Sequence, residues 1–415
     1  MPRQQFRLIV NASITGRAQE LPLRMSKTYD AILIGGGIMG CSSAYQLAQR
    51  GLRVAIVEKN LIGEGPTGSS SAILRTHYSN ALTTRMAAYG LEVYGDFRNR
   101  VGDDCGFHRT GFLLLAPEGD LAGLQASLEL QRSLGITSEL LSPEALDEIL
   151  PGIDTEGVAG AAWEPASGYA DAYLAVTAYA RAARRLGADV LQETEVTDVR
   201  LVADRVTGVE TTQGFLEAPL VVNSAGAWGS RIAAMVDIEI PVNACRVQVA
   251  FFRQPGTAET RMPVVADFLN ACYFRPEVGN LTLAGVIDPA EAEAIVDPDL
   301  YAKSVDYSFQ ATVGEKLCRR LPAMAESAAE GGYASLYAVT PDWHPIVDEL
   351  IPDSGFYVCT GFSGHGFKLG PAVGVMVADL LTGEDQPEFD PDLFSLDRFA
   401  KQEPVQGGYK HSIVG

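Results

Sequence analysis

The chain has 415 residues, 47% of them apolar and 20% charged, with a formal net charge of −20. That length suggests two or three domains around cores that need no covalent staple, and that charge disfavours phosphate backbones and anionic lipid, which argues against nucleic-acid and membrane-surface partners. The six cysteines form no Cys-x-x-Cys pair, and no window approaches the roughly 18 apolar residues of a membrane span, so we expect reduced thiols in the cytoplasm (or the mitochondrial matrix of a eukaryote), with no disulfide framework, metal site or transmembrane helix.

Residues 1–25 carry four arginines against one acid, Glu20. They are expected to be a non-structural extension, an organelle-targeting segment being the other reading. Tyr29–Ile34 is an apolar run suited to a strand buried on both faces. A helix is expected over Met39–Arg50 and a second strand over Arg53–Glu58. A glycine- and serine-rich loop follows at 63–71, then a helical stretch over Thr83–Val101 and a strand at Gly111–Ala116. Two helices are expected within 120–150, the second opened by Ser142-Pro143. Ala172–Leu186 reads as a helix, and Asp189–Gln192, Val196–Val202, Gly208–Thr212 and Leu220–Asn223 as strands. After Pro241 the pattern becomes that of an antiparallel sheet, through Arg246–Phe252, Cys272–Phe274 and Leu281–Leu283. Helix resumes near 300–321. Phe356–Thr360 is a buried strand before a glycine-rich turn at 361–370 and a helix to Thr382.

The strongest motif is GGGIMG at 35–40. It follows a strand, opens a helix and has Glu58 at the end of the second strand. Gly35 permits the tight turn, Gly37 the approach of a pyrophosphate to the helix N-terminus, and Gly40 close helix–strand packing. Glu58 can accept from both ribose hydroxyls and would repel a 2′-phosphate. These residues alone indicate a dinucleotide and leave NAD and FAD open.

Four blocks narrow the choice: GGGIMG with VEK; GSSSAILRTHY at 68–78; NSAGAWG at 223–229; and TPDWHPIVD (340–348) with GFSGHGFKLGPAVG (361–374). In this order they resemble the D-amino-acid-oxidase-like flavoenzymes, specifically the sarcosine oxidase, dimethylglycine dehydrogenase and glycine oxidase group, over nearly all of 28–400. The resemblance implies an α/β fold. A Rossmann-type FAD-binding domain (26–108, 160–240, 336–400) would interleave with an α+β substrate domain on an antiparallel sheet (109–159, 241–335), before a polar tail at 401–415. It implies FAD contacts from Gly35, Gly37, Ile38, Met39, Gly40, Glu58 and Lys59; from Ser69, Ser70 and Ser71; from Val196, Ala225, Gly226 and Trp228; and from Gly361, Gly364, Gly366, Phe367 and Lys368. It also implies that Arg75 and Lys368 hold an amino-acid carboxylate, and that Tyr273 and Arg275 roof the substrate pocket. His365 is a candidate for flavin or substrate contact, with His344 as a second.

Two departures stand out. The relatives' flavin-linking cysteine is matched by Ser335, with Cys318 the nearest cysteine along the chain, so FAD is expected to be non-covalent. Thr282 matches a lysine that promotes oxygen reduction, which favours a dehydrogenase. The expected reaction is hydride transfer from a small N-methyl or cyclic amino acid to flavin N5. Oxygen or an electron-transfer protein, and any partner subunits, would take the electrons onward. Two alternatives stay open: oxidation of a 2-hydroxy acid or another carboxylate, and an FAD-binding subunit inactive alone.

Overall fold

In a computed structural model, the described residues are 27–255, 262–287 and 294–407. The expected N-terminal extension and the end of the polar tail lie outside them. Six strands form a first sheet in the order Ile346–Glu349, Phe356–Thr360, Leu220–Asn223, Ala31–Ile34, Val54–Val57, Asp189–Leu191. Every pairing is parallel except that of the edge strand Ile346–Glu349. Two adjacent interior strands, AILI and VAIV, are buried throughout. Their alternation explains why. Ala31, Leu33, Val54 and Ile56 pack under helices Ile38–Gln49, Ala172–Arg185 and Gly366–Thr382. Ile32, Ile34, Ala55 and Val57 pack on a three-stranded sheet through Val196, Val199, Val206 and Val209. Each fully buried aliphatic side chain contributes about 1.5–3 kcal/mol of transfer free energy.

A second sheet has eight strands, ordered Ala329–Val339, Asn243–Arg253, Leu281–Val286, Cys272–Glu277, Val264–Asp267, Phe112–Ala116, Gly160–Glu164, Glu139–Leu141. It is antiparallel except where Val264–Asp267 runs parallel to Phe112–Ala116. Gly160–Glu164 and the last residues of Ala329–Val339, assigned from sequence to the nucleotide domain, hydrogen-bond within this larger sheet instead. Alanine, glycine and serine dilute the strand signal of both segments.

The expected second helix of 120–150 is also corrected. Leu121–Ser133 is a helix, but Glu139–Leu141 is a strand, and only a short helix at Leu146–Ile149 follows a 3-10 turn at Pro143–Ala145. Ser142 makes no side-chain cap. The stretch Thr83–Val101 divides into Ala81–Gly95 and Phe97–Val101. The turn at 361–370 is half helix, because Gly366–Thr382 begins inside it. Among the described residues, no helix is long and apolar enough to cross a membrane.

Candidate functional site

The carboxyl ends of the parallel strands open on a long cleft. Gly35 leaves its strand at φ +110°, where L side chains are strained, and its amide donates to Val57 O at 2.9 Å. A Cβ on Gly40 would meet Gly35 O at 2.0 Å. The turn and the helix it opens therefore touch backbone to backbone. Glu58 anchors the turn, Oε2 accepting from Gly36 N at 2.6 Å and Oε1 from Asn60 N at 2.8 Å. At the helix start, Ile38 N donates to Thr67 Oγ1 at 3.1 Å. Thr67 was not anticipated from sequence, although it sits in the glycine- and serine-rich loop.

The cleft is lined by Val196, Trp228, Glu58, Lys59, Gly35, Gly37, Ile38, Met39, Ala225 and Gly226, then by Ser69, Ser70 and Ser71, and by Gly361, Gly364, Gly366 and Phe367. Gly40 serves packing and does not line it. A helix N-terminus facing a glycine cradle, with an acid at the second strand end, fits a dinucleotide.

Tyrosines cluster where the large sheet meets the cleft. Tyr273 lies over Gly285, where a Cβ would meet its hydroxyl at 2.5 Å. Tyr333 donates to Ser69 O at 2.9 Å. Tyr337 sits against Gly364, where a Cβ would come within 2.6 Å of its ring. Burial pushes all three phenols up. Tyr333 and Tyr337 were missed from sequence. The alternation Tyr333, Ser335, Tyr337 on one strand face was the available signal.

Cross-strand pairing corrects two expectations. Tyr273 pairs with Gly285 and Arg275 with Leu283, so these four share the cleft-side face. Thr282 points the other way, where its hydroxyl accepts from Gln254 Nε2 at 3.2 Å. Leu283, rather than Thr282, therefore shares the face of Tyr273, and neither lines the cleft. Arg275 is committed to structure. Its Nε donates to Ser71 O at 2.8 Å and its Nη2 pairs with Glu277 at 2.9 Å. Ser335 lines the cleft. The cysteine that lines it is Cys359, whose thiol burial keeps protonated, whereas Cys318 faces a separate groove.

Beside the cleft lies a buried cationic cluster. Arg75 is 6% exposed, stacks 4.4 Å from the Tyr78 ring centroid and donates to His77 O. Lys368, 7% exposed, stands in the first turn of Gly366–Thr382. Burial, then Arg75, holds its amine well below the ordinary lysine range. His365 caps the same helix, and its Nδ1 lies 3.2 Å from Tyr78 Oη. Burial, then Lys368 and Arg75, keeps this imidazole neutral. His344 is structural. Its Nδ1 contacts Asp342 O at 2.8 Å and its Nε2 lies 3.4 Å from Asn80 Nδ2. Asp342 in turn takes two bonds from Arg398.

A family model described as "FAD dependent oxidoreductase" (DAO) matches residues 30–380. The monomeric sarcosine oxidase of Bacillus sp. (strain B-0618) is 28% identical over 92% of this chain and 99% of its own. The 4-methylaminobutanoate oxidase (formaldehyde-forming) of Paenarthrobacter nicotinovorans is 27% identical over 89% of this chain, which spans only 45% of that relative. Among solved structures, the L-proline dehydrogenase of P. horikoshii superposes with a TM-score of 0.84 at 29% identity, covering 92% of this chain and 100% of that one.

Proposed function

The chain belongs to the FAD-dependent oxidoreductase family, and we propose that it oxidises the C–N bond of a small secondary or tertiary amino acid using FAD held without a covalent bond. The observation that carries this reading is the pair Arg75 and Lys368. Both are buried, and among the described residues neither is ion-paired to a carboxylate. Buried cations without a counter-charge are costly, and two neighbours more so. A substrate carboxylate supplies the missing charge. The named substrates of the three relatives share a carboxylate and a secondary amine, which supports the same chemistry here.

The residues then divide the work. Arg75 and Lys368 fix the carboxylate, and the Nε2–H of His365 is a third donor in the same cluster. Tyr273, Tyr333 and Tyr337 exclude water from the cleft and restrict the substrate's orientation. Bound FAD supplies the electron sink for the hydride that leaves carbon. The resulting imine hydrolyses in water without a protein base. Ser335, and a Cys359 kept as thiol, support non-covalent FAD. The absence of a lysine from strand Leu281–Val286 supports an acceptor other than oxygen.

The test is an anaerobic screen of the yellow protein with sarcosine, other N-methyl amino acids and proline. Bleaching of the flavin band by one of them, and not by a 2-hydroxy acid, is the expected result. The reverse pattern would replace this reading with hydroxy-acid oxidation. Bleaching by neither class would favour an FAD-binding subunit. Admitting oxygen afterwards separates oxidase from dehydrogenase.

A further inference from the structure

Residues 294–301 belong to the connection between the large sheet and helix Tyr307–Arg320, yet they reach across to the nucleotide-binding unit. Two backbone bonds dock this segment on strand Asn243–Arg253, Val296 N to Ala244 O at 2.9 Å and Arg246 N to Ala294 O at 3.0 Å. Val296, Tyr301 and Trp228 all pack against the small core of Ala227, Ala244 and Leu336. From that platform Asp299 projects to the rim of the cleft. Its Oδ1 takes Lys59 Nζ at 2.6 Å and Trp228 Nε1 at 2.9 Å, and its Oδ2 takes Arg231 at 2.5 Å. Lys59 also stacks 4.1 Å from the Trp228 ring centroid. Arg231 holds Asp297 at 2.7 Å, and Asp297 in turn accepts from Asp299 N at 2.8 Å.

Lys59 follows Glu58 at the end of the second strand, and Trp228 follows the Ala225-Gly226 turn. Both line the cleft on its dinucleotide side. Apart from their contact with each other, among the described residues the side chains of both have a hydrogen-bond partner in Asp299 alone. We infer that Asp299 is a positioning residue for cofactor retention: it latches Lys59 and Trp228 into one wall over the adenosine half of the FAD cleft and joins the substrate-side sheet to the nucleotide fold. A single partly exposed ion pair stabilises little. Here one carboxylate holds three donors from two separate segments, Lys59 after strand Val54–Val57 and Trp228 with Arg231 in the helical turns at 226–234, so its loss frees the whole wall. The latch is electrostatic and solvent-facing, so it weakens with salt. The inference rests on FAD binding alone and is independent of which substrate the enzyme oxidises.

The test uses the holoprotein and follows FAD release by recovery of free-flavin fluorescence after dilution, between about 0.05 and 1 M NaCl, a range over which screening becomes nearly complete. For Asp299→Ala we expect release about tenfold faster than wild type at low salt, since loosening a bound state appears chiefly in the off-rate. Wild type should approach the variant as salt rises, while the variant stays nearly flat. Asp299→Asn keeps the size and the acceptor for Trp228 but loses the charge, so it should fall between them, and it serves if the alanine variant folds poorly. Release rates within twofold of wild type, with the same salt dependence in either folded variant, would overturn the inference.

Discussion

The hydroxyl of Tyr78 lies 3.2 Å from Nδ1 of His365, with the two ring centroids 5.6 Å apart. Burial pushes the Tyr78 phenol up to about 12, so it keeps its proton and donates. The neutral imidazole must then carry its own proton on Nε2, an assignment that follows from the bonding pattern. That Nε2 is buried and has no partner among the described residues. A buried donor left unpaired costs about 1–3 kcal/mol. The cluster thus presents a pre-set donor that a ligand oxygen can satisfy.

Tyr78→Phe tests this arrangement. The ring would remain over Arg75, but His365 would be free to put its proton on either nitrogen. The dissociation constant of a simple carboxylate inhibitor should rise about 5- to 20-fold, equivalent to roughly 1–2 kcal/mol, while FAD stays bound. A ¹⁵N shift showing loss of the single His365 tautomer separates this from general loosening. An unchanged inhibitor constant with an unchanged tautomer would refute the role of Tyr78.

Lys368 makes a second prediction. In the free protein its amine is held well below the usual range by burial and by Arg75. A bound carboxylate reverses that by favouring the charged form. Binding should therefore take up a proton where the free-state amine is neutral and the complexed one charged. Affinity should fall as pH rises through the higher, complexed pKa. Calorimetry of inhibitor binding in buffers of different ionisation enthalpy reads the uptake directly. Lys368→Met should abolish it and raise KM about 30- to 100-fold, the value of a charge-assisted bond of roughly 2–3 kcal/mol. Equal proton uptake in wild type and variant would assign the proton to another group.

The fold and the site are unevenly legible in the sequence. The parallel sheet was legible because its strands are short apolar runs between turn residues, and Leu220–Asn223 and Phe356–Thr360 fall where expected. The glycine turn and Glu58 were legible because the chemistry fixes their spacing. Ala329–Val339 was not, since its inward face alternates Tyr333, Ser335 and Tyr337 amid glycine and alanine, and only pairing along Asn243–Arg253 makes it a strand. Thr282 misled for a related reason: a one-residue slip in a strand reverses the face, and only register reveals which residue shares the face of Tyr273. Asp299 was invisible, because its partners Lys59, Trp228 and Arg231 come together only through tertiary folding.

A third prediction concerns how Lys368 is held in place. Helix Ala81–Gly95 crosses Gly366–Thr382 so closely that a Cβ on Gly90 would meet the Lys368 carbonyl oxygen at 2.1 Å. Backbone cannot yield as a side chain can. Gly90→Ala should therefore push apart the two helices and displace the turn that carries Lys368. We expect a loss of about 1–3 kcal/mol in stability, typical of overpacking, together with a raised KM. Thermal melts and substrate titration on the same preparation check both. A variant with wild-type stability and KM would show that the crossing is not tight at this point.

The last prediction concerns the acid limit of stability. His77 is wholly buried, and desolvation, then Arg75, pushes it down to about 3. His344 and His365 are shifted the same way, burial again being the main cause. The sign follows from proton counting. Below about pH 6.5 the unfolded chain's histidines bind protons that the folded chain refuses. The stabilisation is thus fully present above about pH 6.5 and is lost as pH falls toward the folded pKa near 3. Each such histidine steepens the loss by up to about 1.4 kcal/mol per pH unit. Ordinary carboxylates titrate mostly below about pH 4.5, so the upper part of this window isolates the histidines. Melting temperatures measured from pH 7.5 to 4.5 should fall steadily in wild type and less steeply in His77→Asn, even if that variant melts lower at neutral pH. Parallel curves for the two proteins would mean that His77 is already protonated in the fold and that Glu164, 3.8 Å from its Nδ1, holds it as a charged pair.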